Sequence, residues 1–503
     1  MVVAAPGSVA VAAPHPAAVD AARAVVAAGG NAVDAALAAA AALTVAYPHQ
    51  CSVGGDLVAI IRPAGGAAQA VLSIGAAAAN VDVAALQAAG PRMPFGGPHT
   101  VTVPGAVAGW AALASLGARL PLATLLEPAR ALAADGVPVS PGLRRAILNR
   151  IDVIRADPGL SALLLSPSGD PVDVLVQPAL ASTFAALGTN WKSFYRGHLA
   201  HQLVDGLARL GSPLAVTDFA AHTAALETPL SAVMDGVTWY AAPPPVHGAS
   251  FLAINGSSSL LTDARRAQLA RDALLGDPRN GPIDLDGLLL LSPTPLPGSA
   301  SDQPKPAGDT VAVTAVDSAG TAVTLIQSVF QSFGAGILEP STGIVLHNRG
   351  SSFSLEPGHP GLIGPGVRPP HTLCPTLAVS GSDVVALGCQ GGRAQPWILA
   401  QVASDAVTSP DLPALLARPR WIIGAREIGR DTPTALLEPG TPEAEALTTA
   451  AEAAGLVVEY TAGPHDDAGH VQVSRLAGDT LSAATDPRAD GVAAVLPGRS
   501  LSP

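Results

Sequence analysis

Downstream of residue 310 the chain reads in short β-branched runs, and residues 311–316, 322–326, 343–346, 376–379 and 384–387 are predicted strands. Val311, Val313, Val323 and Leu325 flank the turn Asp317-Ser318-Ala319-Gly320, which predicts a β-hairpin. Helical spacing returns at 396–404 and 442–454, and strand patterns at 457–460 and 471–476. The first half is richer in alanine. Residues 16–28 and 32–45 are predicted helices; Gly29-Gly30 stops the first, and Asn31 caps the second with Asp34 in its first turn. Residues 106–116, 121–135, 198–210 and 260–275 have helical spacing as well. Residues 57–62 and 69–72 form a predicted hairpin across Pro63-Ala64-Gly65-Gly66, and 237–241 is a strand ended by Pro243-Pro244-Pro245. Between the halves runs a Pro/Ser/Gly-rich tract, 292–308. Its Pro293, Pro295, Pro297, Pro304 and Pro306 cannot sustain a helix or a central strand, so it is expected to be exposed and mobile. Strand blocks on both sides of the tract, with helices flanking each, predict two stacked sheets with helices outside. No internal repeat of solenoid period is present.

The 503 residues are 49% hydrophobic and 13% charged, enough apolar material for a large core built mostly from alanine. A formal charge of −12 and the lack of any Lys/Arg run exclude nucleic acid as the expected partner, since phosphate binding needs clustered cations. The longest nearly apolar run, residues 35–47, falls short of the roughly 20 residues that span a bilayer, so it reads as a buried helix. The first residues lack a basic n-region and are interrupted by Pro6 and Gly7, which makes the cytoplasm the expected compartment. Cys51, Cys374 and Cys389 are odd in number and widely spaced, and make neither a disulfide framework nor a zinc site.

One chemistry suits a mobile tract that ends at a threonine opening a core strand. Scission between Asp309 and Thr310 would leave Thr310 as a new N-terminus, whose own amine is the base for its hydroxyl. Alone, this placement is better explained by the β propensity of threonine. Other clusters carry less. His198 and His201 lie three apart on a predicted helix without a third metal ligand nearby. In His465-Asp466-Asp467 with Gly469-His470, a turn-capping role for the aspartates is the better expectation. His371 and Cys374 suggest a Cys/His pair, but Cys374 leads into Pro375 and reads as a small core filler. Gly54-Gly55 lacks the Lys-Ser/Thr of a phosphate loop.

The chain also carries an ordered series of segments. Ala13-Pro14-His15-Pro16 precedes Gly29-Gly30-Asn31-Ala32-Val33-Asp34-Ala35-Ala36, followed by Pro48-His49 and Gly54-Gly55-Asp56. Val103-Pro104-Gly105-Ala106-Val107-Ala108-Gly109-Trp110, Phe194-Tyr195-Arg196-Gly197, Pro243-Pro244-Pro245 and Ala264-Arg265-Arg266 through Gly276-Asp277-Pro278 come next. Asp309-Thr310, Gly334-Ala335-Gly336, Gly343-Ile344, Gly391-Gly392 and Ala484-Thr485-Asp486-Pro487-Arg488 complete it. In this order the segments resemble the γ-glutamyltranspeptidase family of N-terminal-nucleophile hydrolases. The resemblance implies an α+β fold, a four-layer αββα sandwich, with self-cleavage before Thr310. The products would be a large fragment, 1–309, and a small catalytic fragment, 310–503, associated as a heterodimer. It further implies Thr310 as nucleophile, Ser328 as a second hydroxyl beside the nucleophile's amine, and Gly391 and Gly392 as backbone donors to the oxyanion. No metal or organic cofactor is implied.

Departures from the family pattern bear on the substrate. Relatives acting on γ-glutamyl groups hold the α-carboxylate with an arginine in an early segment. The matching stretch here, Leu72-Ser73-Ile74-Gly75-Ala76-Ala77-Ala78, has none. Arg349 and Ser352 stand where the family has a Gln and an Asp for the α-amino group, and His371-Thr372 replaces its serine pair. The pattern is similar to a branch containing oxamate amidohydrolases and acylases, although Val329 stands where that branch often has Asn. The expectation is a small, anionic amide or acyl substrate, with Arg349, Ser352, His371 and Thr372 as the binding residues. The alternatives are a catalytically silent scaffold, and a true γ-glutamyl transferase with altered glutamate recognition.

Overall fold

The computed structural model describes residues 2–292 and 308–499. The tract expected to be mobile lies, from 293 to 307, outside the described residues.

The predicted hairpin is the centre of the molecule. Strands Gly308–Asp317 and Ala322–Gln331 pair antiparallel from Val316↔Ala322 to Val311↔Gln327. Asp56–Arg62 and Gln69–Ser73 extend the sheet on one side, and Val9–Ala13 and Val492–Leu496 on the other, giving seven strands with Ala225–Glu227 at one edge. A second seven-stranded sheet is built around Thr376–Ser380, Asp383–Gln390 and His470–Ala477.

Alternation along the central strands assigns their faces. Val311, Val313 and Ala315, with Val323 and Leu325, join a core shared with the helices Pro16–Ala27, Ala32–Ala46 and Leu122–Asp135. Ala312, Val316, Ala322 and Ile326 face the other way, into a layer shared with Leu377, Val384 and Ala386 of the second sheet. That sheet's outer face packs on a third cluster containing Phe251, Leu261 and Trp397. The order is therefore helix, sheet, sheet, helix: an α+β sandwich of four layers.

Small side chains let these layers come close. All fifteen residues of Ala32–Ala46 are buried, as the apolar run at 35–47 implied. Among the described residues, no helix is long and apolar enough to cross a membrane. The N-terminus of Ala32–Ala46 is held as expected: Asn31 Oδ1 accepts from the amides of Val33 and Asp34, and the Asp34 carboxylate accepts back from the Asn31 amide at 2.8 Å.

Some expected elements differ. The helix expected over 396–404 is two, Gln395–Ala400 and Ala403–Thr408, because the backbone leaves helical geometry at Val402 (φ −123°). The strand expected over 343–346 shrinks to Ile344–Val345, paired only with Leu338–Glu339. Helices Pro141–Asn149, Pro158–Leu164 and Pro178–Asn190 were not anticipated. Each begins on a proline, which is favoured in a first turn although it reads as a breaker in the interior.

Candidate active site

The pairing of the central strands is interrupted at one point. Asp309 lies opposite Phe330 and Val311 opposite Gln327, so two steps on one strand face three on the other. This bulge holds Ser328, and Thr310 faces it. Thr310 has the parity of Ala312 and Ser328 that of Ile326, so both point into the layer between the sheets. Both are buried, and Thr310 Oγ1 donates to Ser328 Oγ at 3.1 Å. Ser328 Oγ also accepts the Phe330 amide at 2.8 Å. Phe330 has φ 76°, a left-handed conformation that costs a bulky residue on the order of 1–3 kcal/mol. On the helix side of the same strand, Gln327 donates to Ala40 O at 2.6 Å and accepts from Trp110 Nε1 at 3.2 Å, which fixes the register beneath the bulge.

Arg349 lies over the Phe330 ring, its guanidinium carbon 3.8 Å from the centroid. The side chain is 1% exposed. Its Nη2 donates to Thr372 Oγ1 at 3.2 Å, whereas Nη1 has no hydrogen-bond partner. Burial pulls the guanidinium pKa down to about 9; Asp56 opposes the fall and Arg393 adds to it. A buried cation without a carboxylate on its nitrogens is an incomplete ion pair.

Asp56 is the neighbouring anion and is fully committed elsewhere. Its Oδ1 accepts the amides of Gly75 and Gly105, each at 3.1 Å. Both glycines are required there, because a Cβ would fall 1.4 Å from Val103 O at the first and 2.0 Å from Ser73 O at the second. Its Oδ2 lies 3.2 Å from His371 Nε2 and 3.4 Å from His347 Nδ1. Burial alone would raise this carboxyl, but the two histidines together hold it well below the usual carboxylate range. Burial likewise pulls His371 down to about 3, with Arg349 adding to the fall, so the ring is neutral.

A cavity of about 760 Å³ opens beside this cluster, lined by Thr372, Ser352, His247, Arg271, Asp272 and Arg393 among others. Thr372 joins it to Arg349, and from there the Phe330 ring leads to the bulge. Thr310 does not line the cavity. Gly391 (φ 156°) and Gly392 (φ 52°) open the turn Gly392–Ala394, which packs against strand Gly308–Asp317. Gly388, three residues earlier, faces Ala312.

The sequence-derived residues thus divide. Thr310 pairs with Ser328, Arg349 with Thr372, and the glycine turn adjoins the same strand. Ser352 lines the cavity, and its hydroxyl lies 2.8 Å from both the Arg349 and the Pro370 carbonyl oxygens. His371 faces Asp56 and is absent from the cavity wall. In the turn at 465–470 the His465 side chain accepts the Asp467 amide. Burial pushes the Cys374 thiol far up, as fits a core residue. His198 and His201 are exposed, and no metal-binding cluster occurs among the described residues. Asp56, His347, His247 and Arg393 were missed as site residues. A lone carboxylate inside the run Val53 to Ile61 was the one available signal.

The family model described as Gamma-glutamyltranspeptidase matches residues 18–274 and 258–496. The oxamate amidohydrolase proenzyme of Klebsiella pneumoniae is 36% identical over 96% of this chain and 97% of its own length. A glutathione hydrolase-like proenzyme of Bacillus subtilis is 32% identical over 79% of this chain and 81% of its own. The crystal structure of cephalosporin acylase from Bacillus halodurans superposes with a TM-score of 0.84 at 27% identity, covering 97% of this chain and 95% of that one. With the sandwich and the ordered motifs, these matches make the chain a member of the gamma-glutamyltranspeptidase family.

Proposed function

We propose that this chain is a self-processing amidohydrolase whose nucleophile is Thr310 and whose substrate is a small amide with a carboxylate on its acyl part. The observation that carries the reading is the buried Thr310–Ser328 hydroxyl pair at the bulge, immediately after the peptide to be cut. In maturation Thr310 Oγ attacks the Asp309 carbonyl carbon, the peptide C–N bond breaks, and the Thr310 amine is released. Water then opens the resulting ester. The freed α-amine has an ordinary pKa of about 8 and serves as base near neutrality. In turnover Thr310 Oγ attacks the substrate amide, the amine leaves with a proton, and water hydrolyses the acyl-enzyme. Gly391 and Gly392 supply amides to the oxyanion, and Ser328 orients the freed amine.

The fold supports fragments that stay together. Strand Gly308–Asp317 is flanked by Val9–Ala13 and Ala322–Gln331, so both sides of the cut contribute neighbouring strands to one sheet. Arg349 supports the anionic acyl group, because a carboxylate on Nη1 would complete its pairing. Oxamate, named for the Klebsiella relative, is a small amide of this kind. The segment 72–78 offers no cation for a γ-glutamyl carboxylate, and Ser73 is already bonded to Gly105 O at 2.6 Å. Wild-type protein should release ammonia from oxamate, while Thr310→Ala stays one chain and releases none. A Thr310→Ala variant that still matures or still hydrolyses oxamate would overturn the proposal.

A further inference from the structure

A second cavity, of about 740 Å³, is walled by residues of helices Pro16–Ala27 and Leu122–Asp135 and of the segment 136–141, with Asp490 from the far end of the chain. It shares no wall residue with the cavity beside Arg349. Its volume falls within the roughly 300–1,000 Å³ usual for small-molecule sites. Much of the wall is aliphatic, including Ala17, Ala21, Ala131, Leu132, Val137 and Val139. The ionisable residues on it are His15, Asp20, Asp135 and Asp490, and among the described residues no lysine or arginine lines it. Asp20 and Asp135 are exposed, and Arg23, also exposed, lies 3.8 Å from Asp20, so water and salt weaken what these groups contribute. Asp490 is held in place. Tyr47 Oη donates to its Oδ2 at 2.9 Å and the Gly142 amide donates to the same oxygen at 2.8 Å. Tyr47 itself is 1% exposed, which makes it a rigid support. Both bonds fall on one oxygen and leave Oδ1 for a ligand.

His15 supplies the second polar group. Its side chain caps helix Pro16–Ala27, with Nδ1 accepting the Ala17 amide at 3.2 Å, and the residue is only 5% exposed. Burial lowers the imidazole pKa from 6.5, against the pull of Asp490 and Asp20, so the ring is neutral at pH 7. With Nδ1 accepting, the proton sits on Nε2, which has no hydrogen-bond partner among the described residues. The wall therefore offers one N–H donor, one carboxylate oxygen and an aliphatic surface. From this set we propose a second ligand site, for an aliphatic primary amine that also carries a hydroxyl or carbonyl oxygen. The ammonium pairs with Asp490 Oδ1, the oxygen accepts from His15 Nε2, and the carbon chain lies along the alanine, leucine and valine side chains. A hydrogen bond to a charged partner is roughly twice as strong as a neutral one, so the ammonium contributes most to recognition. A carboxylic acid of equal length is disfavoured by repulsion from Asp490. The site is independent of the assignment of Thr310.

Isothermal titration of the purified wild-type protein with 6-aminohexan-1-ol, hexylamine and hexan-1-ol tests the site. Salt at about 0.15 M screens general attraction of amines to a chain of formal charge −12. One saturable site is expected for 6-aminohexan-1-ol, with hexan-1-ol weaker by about tenfold or more and hexylamine by about threefold or more. Asp490→Asn should weaken 6-aminohexan-1-ol by about tenfold or more. Ala131→Leu, at a half-buried helix position on the wall, fills the cavity at little cost in helix propensity and should abolish binding. This second variant keeps the test decisive if Asp490→Asn disturbs the fold. No saturable binding, equal affinity for hexan-1-ol, or full affinity in either folded variant would overturn the site. Hexylamine binding as tightly as 6-aminohexan-1-ol would overturn the part given to His15.

Discussion

Replacing Arg349 by methionine should make the protein more stable and a poorer enzyme. The guanidinium is 1% exposed and its pKa falls from 12.5 to about 9 on burial. A difference of that size, at about 1.4 kcal/mol per pH unit, means that keeping the charge in the fold costs on the order of 5 kcal/mol at neutral pH. Methionine removes that cost and fills similar volume with a flexible apolar chain. It forfeits the contact over the Phe330 ring, about 2 kcal/mol when desolvated, and the hydrogen bond to Thr372, about 1 kcal/mol. The balance is a gain of about 2 kcal/mol. Urea unfolding of Arg349→Met in a Thr310→Ala background, expected to stay a single chain, measures it. The same substitution in the processing enzyme should raise KM for oxamate at least tenfold, because a charge-assisted contact to the carboxylate is gone. A loss of stability together with an unchanged KM would refute the reasoning, since Arg349 would then be a structural cation with no ligand to bind.

Two further perturbations test the buried electrostatics. Burial holds His49 and His371 at about 3 and His222 at about 4, and holds His247 well below 6.5, so the fold binds fewer protons than the unfolded chain between those values and 6.5. Stability should therefore fall as pH drops below 6.5, by up to about 1.4 kcal/mol per unit for each histidine. Urea midpoints at pH 7 and pH 5 check this, with a flatter profile expected for His222→Gln; equal midpoints would contradict it. Asp56→Asn puts an amide NH2 where a carboxylate oxygen faces His347 and His371, leaves a buried ring nitrogen without its acceptor, and should lower stability by about 1–3 kcal/mol, read from the same unfolding curves.

What the sequence disclosed was local. The hairpin through Val311, Val313, Val323 and Leu325 follows from alternation and a four-residue turn, and the Asn31–Asp34 cap from residues three apart. Thr310 and Ser328 became candidates through motif order, and their contact follows once the hairpin register is set. Asp56 could not be assigned a role, because His371, its partner, lies 315 residues away. Helices begun by Pro141, Pro158 and Pro178 were hidden because one residue type marks both the end of one helix and the start of the next. Arg349 was legible as a cation where the family pattern has a Gln, but the lack of a partner on its Nη1 is a property of three-dimensional packing. Ser352 shows another limit: the two carbonyl oxygens its hydroxyl lies against come from loops eighteen residues apart.

Self-scission at a single peptide underlies the whole account, and intact-mass analysis of the purified protein with sequencing of any new N-terminus tests it most directly. Two fragments are expected, the smaller beginning at Thr310. One undivided chain that nonetheless hydrolyses oxamate, or a cut at any other residue, would contradict it.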